Sequence, residues 1–429
     1  MAHGSGGAPA ALYRFLTGAA SPFLPLLLRL RAARDKEDPA RLPERQGYAS
    51  RPRPPGTLVW IHGASVGESL ATLPLVAGLL EKPDRHVLVT TGTVTSARLM
   101  AERLPEGAFH QYVPIDTPGA VGRFLNHWRP DLALFVESEF WPNLILKTRA
   151  QAVPMALVNA RLSEDSFKGW SRARGFAARL IGAFNVCLAQ DATVASRLTT
   201  LGARAVSVSG SLKADAPPLP VNQDALAAFL NAANERSLFV AASTHPGEDA
   251  PLLEVAEAMR RAQLDTMTVI VPRHPSRGAE IESLAAARGF AVRRRSTGAL
   301  PAGDTAIYVA DTMGELGLFY RAGNFAFLGG SLVKHGGQNP LEAAQLGTAV
   351  ITGPYTENFD EIFRVLLGAQ GEGRVRNALE LTALVLSLSA NPVAAARLGR
   401  IARRASETLG GALGRTLDAA EKLLAGARA

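Results

Sequence analysis

The chain has 429 residues, 47% of them hydrophobic and 20% charged; this globular composition excludes a disordered or fibrous protein and suits two or three domains. Its single cysteine, Cys187, excludes an internal disulfide framework and a cysteine-rich zinc module, and fits a reducing compartment. A net charge of +8 favours acidic partners, whether nucleic acid, anionic lipid or phosphorylated substrates, but aromatic residues at 6% that do not interleave with basic ones leave nucleic acid poorly supported.

The charge is concentrated at the start, where residues 1–53 hold nine Lys/Arg against four acids. Within this stretch Phe15 to Leu28 is uncharged and mostly apolar. As a helix it spans about 21 Å at ~1.5 Å per residue, against a hydrocarbon core of about 30 Å, and Pro22 and Pro25 weaken it further. A helix lying in the membrane interface, with Arg29, Arg31 and Arg34 at lipid phosphates, is therefore favoured over a full span. The bland alternative is a helix docked on the protein's own core. No basic n-region or small-residue cleavage site marks a signal peptide, so the remainder is expected on the cytoplasmic side.

Short apolar runs then alternate with amphipathic stretches. Strands are expected at Thr57–Ile61, His86–Thr91, Asp131–Val136, Pro154–Val158 and Asn185–Leu188, with helical patterns between them. Prolines crowd Asp215–Asn222, and the rhythm restarts at Leu238–Ala242, Thr268–Val271, Ala306–Val309, Phe325–Leu328 and Ala349–Ile351. This is the pattern of an α/β protein with two doubly wound parallel sheets. The expected division is a membrane-associating segment 1–45, a first domain 46–214, a linker 215–222, a second domain 223–400 and a C-terminal helix 401–429. Ligands of such sheets bind beyond the carboxyl ends of the strands, and two facing domains would form a cleft there. The residues just after each strand are therefore the informative ones.

After the first strand comes WIHGASVGE, Trp60 to Glu68. Gly63 and Gly67 allow a tight turn into a helix. Glu68 has two readings: a first-turn acid that offsets the helix dipole, or a general base near an acceptor hydroxyl. His62 reads as a satisfied strand-end residue. The segment FVESEFWPN, Phe135 to Asn143, carries Glu137 and Glu139; they alternate along an extended segment and should point to opposite sides, one to the cleft and one to a cap or salt bridge. Arg161 of NARLS and Lys213 of GSLK are cations able to meet an anion, or simply paired or solvated ones. In the second half, Ser243, Thr244 and the helix start of STHPGE suit a phosphate. Arg273 of VPRHP offers a bidentate fork, and DTMGE places Asp311 to Glu315 at another strand end. The glycine-rich GGSLVKHGGQNPLE ends in Asn339-Pro340, a helix start, with Glu342 either closing a capping box or binding a ribose. No P-loop, nucleophile elbow, dinucleotide fingerprint or metal-ligand spacing is present.

Taken in order, HGASVGE, TTGT, ESEFWPN, NARLS, GSLK, STHPGE, VPRHP, DTMGEL and HGGQNPLEAA resemble the bacterial 3-deoxy-D-manno-octulosonic acid (Kdo) transferases of lipopolysaccharide assembly. The resemblance runs from about Leu12 to the C-terminal helices. It implies a GT-B fold, with an acceptor-binding first domain and a CMP-Kdo-binding second domain. It also implies transfer of Kdo from CMP-Kdo to the 6′-hydroxyl of lipid IVA, with inversion, at the cytoplasmic side of the inner membrane. On the matching positions Glu68 is the general base, and Glu137 and Lys213 stabilise the transition state. Pro272, Arg273, Met313, Gly314, Glu315, Asn339, Pro340, Leu341 and Glu342 hold the CMP portion. No metal or other cofactor is implied for transfer; the implied partners are CMP-Kdo, lipid IVA and an anionic membrane surface. The sequence departs from some relatives at Gly63-Ala64, where bulkier residues occur, and at Gln338, where histidine occurs. A transferase using a UDP-sugar, or a non-catalytic membrane adaptor, are the competing readings.

Overall fold

The computed structural model describes residues 7–63, 66–368 and 371–428. The chain divides into two compact units, Met1–Ala216 with Gly410–Ala429, and Pro217–Leu409.

The first unit is built on seven parallel strands: β1 (Thr57–His62), β2 (Arg85–Thr91), β3 (Ala108–Tyr112), β4 (Leu132–Val136), β5 (Met155–Ala160), β6 (Val186–Ala189) and β7 (Val206–Val208). Their order is β3-β2-β1-β4-β5-β6-β7. Every residue of β4 and β5 is buried, which explains their near-continuous apolar sequences: a parallel sheet is covered by helices on both faces. The order reverses between β1 and β4, where His62 lies opposite Phe135. That switch point is where an open parallel sheet presents its ligand crevice.

The second unit has six parallel strands: β8 (Ser237–Thr244), β9 (Thr266–Pro272), β10 (Val292–Arg294), β11 (Ile307–Val309), β12 (Phe325–Leu328) and β13 (Ala349–Thr352). Their order is β10-β11-β9-β8-β12-β13, so its switch point lies between β8 and β12. All ten strands expected from the sequence are present. The three that were not expected have physical reasons. The apolar pattern of β3 is interrupted by His110 and Gln111, and β7 and β10 are three-residue edge strands with partly exposed side chains.

The N-terminal segment differs from its expectation. Helix Gly7–Ala20, a 3-10 turn Ser21–Phe23 and helix Leu24–Ala32 run on as 26 helical residues, about 39 Å at ~1.5 Å per residue. Pro22 and Pro25 fall in the first turns of their elements, where a missing N–H costs nothing. This helix is long and apolar enough to cross a membrane. Leu12, Phe15, Leu16, Phe23, Leu26, Leu27 and Leu30 on it are exposed. Its first part is also bolted to the first unit: Tyr13 donates to Asp116 Oδ2 (3.0 Å), and Asn143 Nδ2 donates to Thr17 Oγ1 (2.9 Å). Arg31, expected at lipid phosphates, instead pairs with buried Glu37 at 2.9 Å, and Arg45 meets the same carboxylate at 3.1 Å. Buried Glu37 needs such partners, because an isolated buried carboxylate is costly.

The tail is two helices. Pro392–Leu409 packs on β13 in the second unit. Ala412–Arg428 returns to the first, sinking Ala412, Ala420 and Leu424 among the apolar residues of β1, β2, β4 and β5.

Candidate active site

The end of β1 leads into helix Val66–Leu80, with Glu68 in its first turn. Ala64 and Ser65 of the HGASVGE motif lie outside the described residues. Gly63 is required here, since a Cβ on it would stand 3.3 Å from Glu68 Cβ and 3.7 Å from Val136 Cβ. Glu68 therefore packs close to Gly63 at the end of β1, the strand that pairs with β4 across the switch point. The fully buried His62 ring touches Thr90 Oγ1 through Nδ1 (3.0 Å) and turns Nε2 toward Glu139 Oε2 at 3.7 Å.

The segment after β4 is not extended. Glu137 has φ +58°, so the chain turns there, and the alternation expected of Glu137 and Glu139 does not apply. The turn still separates them. Glu137 Oε1 lies 3.4 Å from Lys213 Nζ, while Glu139 accepts from Trp141 Nε1 (2.6 Å) and faces His62. Burial pushes the Glu139 carboxyl up, but His62 and Trp141 outweigh it and hold the group below the usual carboxylate range.

Lys213 and Glu137 meet because of Asn159, at the end of β5. Its side chain accepts from Leu212 N (3.0 Å) and donates to Glu137 Oε1 (3.5 Å). One amide thus fixes both the Leu212–Asp215 turn carrying Lys213 and the carboxylate it faces. Asn159 also has φ +51°. Non-glycine residues held in this region cost about 1–3 kcal/mol and persist where surrounding contacts impose them. The returning helix braces the same turn: Asp215 accepts from Gly411 N and Leu413 N, and Arg415 donates to Ser209 O. Asn159→Ala is expected to cost about 2 kcal/mol through two lost hydrogen bonds and a left-handed alanine. It should also lower kcat up to about a hundredfold by loosening Lys213. Thermal unfolding and initial rates check both; an unchanged kcat would remove Asn159 from the positioning role. Arg161, whose N–H donates to the Glu137 carbonyl at 3.4 Å, completes this edge.

In the second unit the ends of β8 and β12 lie side by side. A Cβ on Gly329 would stand 2.5 Å from Ser243 O, so only glycine allows the two loops to touch. Buried Glu248 ties them together. Its Oε2 accepts from His245 N (2.9 Å) and Gly330 N (2.8 Å), and its Oε1 from Ser331 N (3.1 Å) and Leu332 N (3.0 Å). Ser243 has φ +54°, and Thr244 Oγ1 is buried with no hydrogen-bond partner among the described residues.

His245 packs on His335 with ring centroids 3.9 Å apart, and Gln338 Nε2 lies 3.0 Å from His245 Nε2. Burial, then the charges of His335 and Arg273, pull His245 down to about 4; it is neutral at physiological pH, and its Nε2 accepts from Gln338. Exposed Arg273 follows Pro272 at the end of β9 and has no ion pair among the described residues. Burial raises the Glu342 carboxyl, against a hydrogen bond from Asn339 Nδ2 (3.2 Å) and the Arg273 charge.

The helix Leu341–Gln345 is capped at Pro340 rather than Asn339. Asn339 Oδ1 instead accepts from Leu341 N at 3.2 Å, so its side chain, not its backbone, engages Glu342, and the expected capping box takes this altered form. Met313 is exposed and Gly314 has open space around it. Glu315 is held by Arg295 Nε (3.0 Å) and Thr312, with Arg295 the largest cause of its lowered carboxyl. Arg294 and Arg295, which fix Asp311 and Glu315, were missed in the sequence. Their only signal was the basic run RRR at 293–295.

Two doubly wound parallel units in one chain, with carboxylates and cations at their carboxyl strand ends, define a GT-B-like fold. The solved glycotransferase of kitacinnamycin is similar in fold, with a TM-score of 0.52 at 16% identity, covering 87% of this chain and 100% of that one. The family model for 3-deoxy-D-manno-octulosonic-acid transferase (kdotransferase) matches residues 40–216. The 3-deoxy-D-manno-octulosonic acid transferase of Bordetella pertussis is 38% identical, over 88% of this chain and 90% of its own length. That of Haemophilus influenzae is 36% identical, over 88% and 90%. The chain belongs to the Kdo transferase family and is a glycosyltransferase that moves Kdo.

Proposed function

We propose that this transferase takes Kdo from CMP-Kdo and places it on the 6′-hydroxyl of lipid IVA, with inversion and release of CMP, during lipopolysaccharide core assembly. The work is done at the cytoplasmic face of the inner membrane, held there by the apolar helix 7–32. The observation that supports this reading is the placement of Glu68 just past the end of β1 and of the Glu137–Lys213 pair just past the end of β4, the two strands that flank the switch point.

Glu68 takes the proton from the acceptor hydroxyl as its oxygen attacks the anomeric carbon. The bond from that carbon to the CMP phosphate breaks, and its electron pair leaves with CMP. Positive charge grows on the sugar and negative charge on the phosphate. Glu137 is placed to offset the first and Lys213 the second, as preorganised charges that need no reorganisation during the reaction. In the second unit, Arg273 offers its fork to the phosphate, and the 339–342 turn and Glu315 hold the nucleoside. With cations to meet the leaving phosphate, the transfer step needs no metal, and EDTA is expected to leave the initial rate unchanged.

The direct test is mass spectrometry of lipid IVA after incubation with CMP-Kdo generated in situ. One added Kdo, or several, upholds the reading; no mass shift from folded protein overturns it. Nucleotide preference separates it from a UDP-sugar enzyme. CMP at a hundred times its Kd is expected to stabilise the protein by about 2.7 kcal/mol, and UDP to give no shift in Tm.

A further inference from the structure

A cavity of about 960 Å³ opens between helix Gly7–Ala20 and the helices Pro118–Trp128 and Pro142–Ala150 of the first unit. This is at the upper end of the roughly 300–1,000 Å³ of small-ligand sites. Its walls are apolar, with Ala11, Phe15 and Leu146 among them, and three cations, Arg14, Lys147 and Arg179, stand in the same lining. No carboxylate among the described residues pairs with any of the three. Lys147 is partly buried and donates to Pro118 O at 3.0 Å; burial and then Arg14 hold its ammonium below the usual lysine range. An apolar trough beside uncompensated positive charge is complementary to one kind of molecule, an acyl chain joined to a phosphate.

The trough also leads to the reacting end of the sheet. Asn143 in its lining gives its N–H to Asp116 Oδ2 (3.0 Å) and its amide to the Asp116 carbonyl (2.7 Å). Burial raises the Asp116 carboxyl against the N–H groups of Asn143 and Leu144, Tyr13 and, last, the charge of His62. His62 directly precedes Gly63, the residue packed on Glu68.

We propose that this groove is an acceptor subsite, seating one acyl chain of a phosphorylated glycolipid while Arg14, Lys147 and Arg179 hold its phosphate. This rests on the acceptor reading above. A bulk membrane phospholipid would fill the same trough without any need for it to adjoin the strand ends.

Ala11→Trp, on an exposed helix surface, fills the trough without disturbing a core. Transfer is compared on lipid IVA and on its fully deacylated counterpart. Ala11→Trp is expected to lower the preference for the acylated acceptor, as a ratio of kcat/KM, about tenfold. Arg179→Glu is expected to raise KM for both acceptors. An unchanged preference in Ala11→Trp overturns the proposal.

Should the wild-type protein transfer to neither acceptor, the acceptor reading itself has failed. The groove is then judged by binding of lipid IVA alone, where equal affinity of wild type and Ala11→Trp overturns it and about tenfold weaker binding upholds it. Phosphatidylglycerol vesicles are the remaining arm: a loss of vesicle binding as large as the loss of lipid IVA binding assigns the groove to bulk lipid and overturns the proposal.

Discussion

Glu68→Gln is expected to lower kcat by about 10²–10⁴-fold, the usual contribution of a positioned general base. The substitution keeps the size of the side chain and its packing against Gly63. Thermal stability and CMP protection should therefore match the wild type. The role is tested further by a pH profile. The acidic limb of kcat for the wild type reports ionisation of the base, and that limb should vanish in the glutamine variant. Near-normal turnover would leave Glu68 as no more than a first-turn acid opposing the helix dipole. Glu137→Gln and Lys213→Met, made singly and together, complete the picture. Charges 3.4 Å apart should give losses that do not add.

The largest stability effect is expected at Glu248. Its carboxylate accepts four backbone N–H groups from two loops and is fully buried. Glu248→Ala strands three buried donors and a partly buried one, each buried donor costing about 1–3 kcal/mol when unsatisfied. Relaxation reduces the sum, and a loss of about 3–5 kcal/mol is expected, comparable with a large part of the stability of an ordinary domain. The calorimetric transition of the second unit should fall by about 10 °C, and CMP protection should be lost with it. Glu248→Gln should recover part of the loss, since its one carbonyl oxygen still accepts while its NH₂ opposes the remaining donors. Wild-type melting and CMP protection in the alanine variant would show that the loops hold together without the carboxylate.

Much of the fold could be read from the sequence because parallel strands buried on both faces are written as plain apolar runs. The short edge strands β7 and β10 lacked that signature, and so did β3. Strand-end positions were legible for the same reason: the end of an apolar run followed by glycine, acid or lysine is visible in one dimension. Pairings were not. Lys213 meets Glu137 through a single amide on Asn159, far from both in the chain, and no local pattern encodes that. Glu137 and Glu139 show a subtler limit. Their separation follows from a left-handed residue at 137, whereas the alternation argument assumed extended backbone. Glu248 drew no reading of its own from the sequence, and only the folded loops reveal that its carboxylate is buried among their N–H groups. The N-terminal prolines were read as weakening the helix, although each sits where a helix tolerates it.

The closing helix Ala412–Arg428 belongs to the unit that the chain began with. The second unit is thus an insertion within the first, and synthesis order matters. During synthesis the second unit is therefore complete before its host. The turn bearing Lys213 waits for Asp215 to find the backbone of Gly411 and Leu413. Until the helix Ala412–Arg428 docks, the turn that carries Lys213 lacks this brace, so the host unit is completed by a segment made after the inserted one.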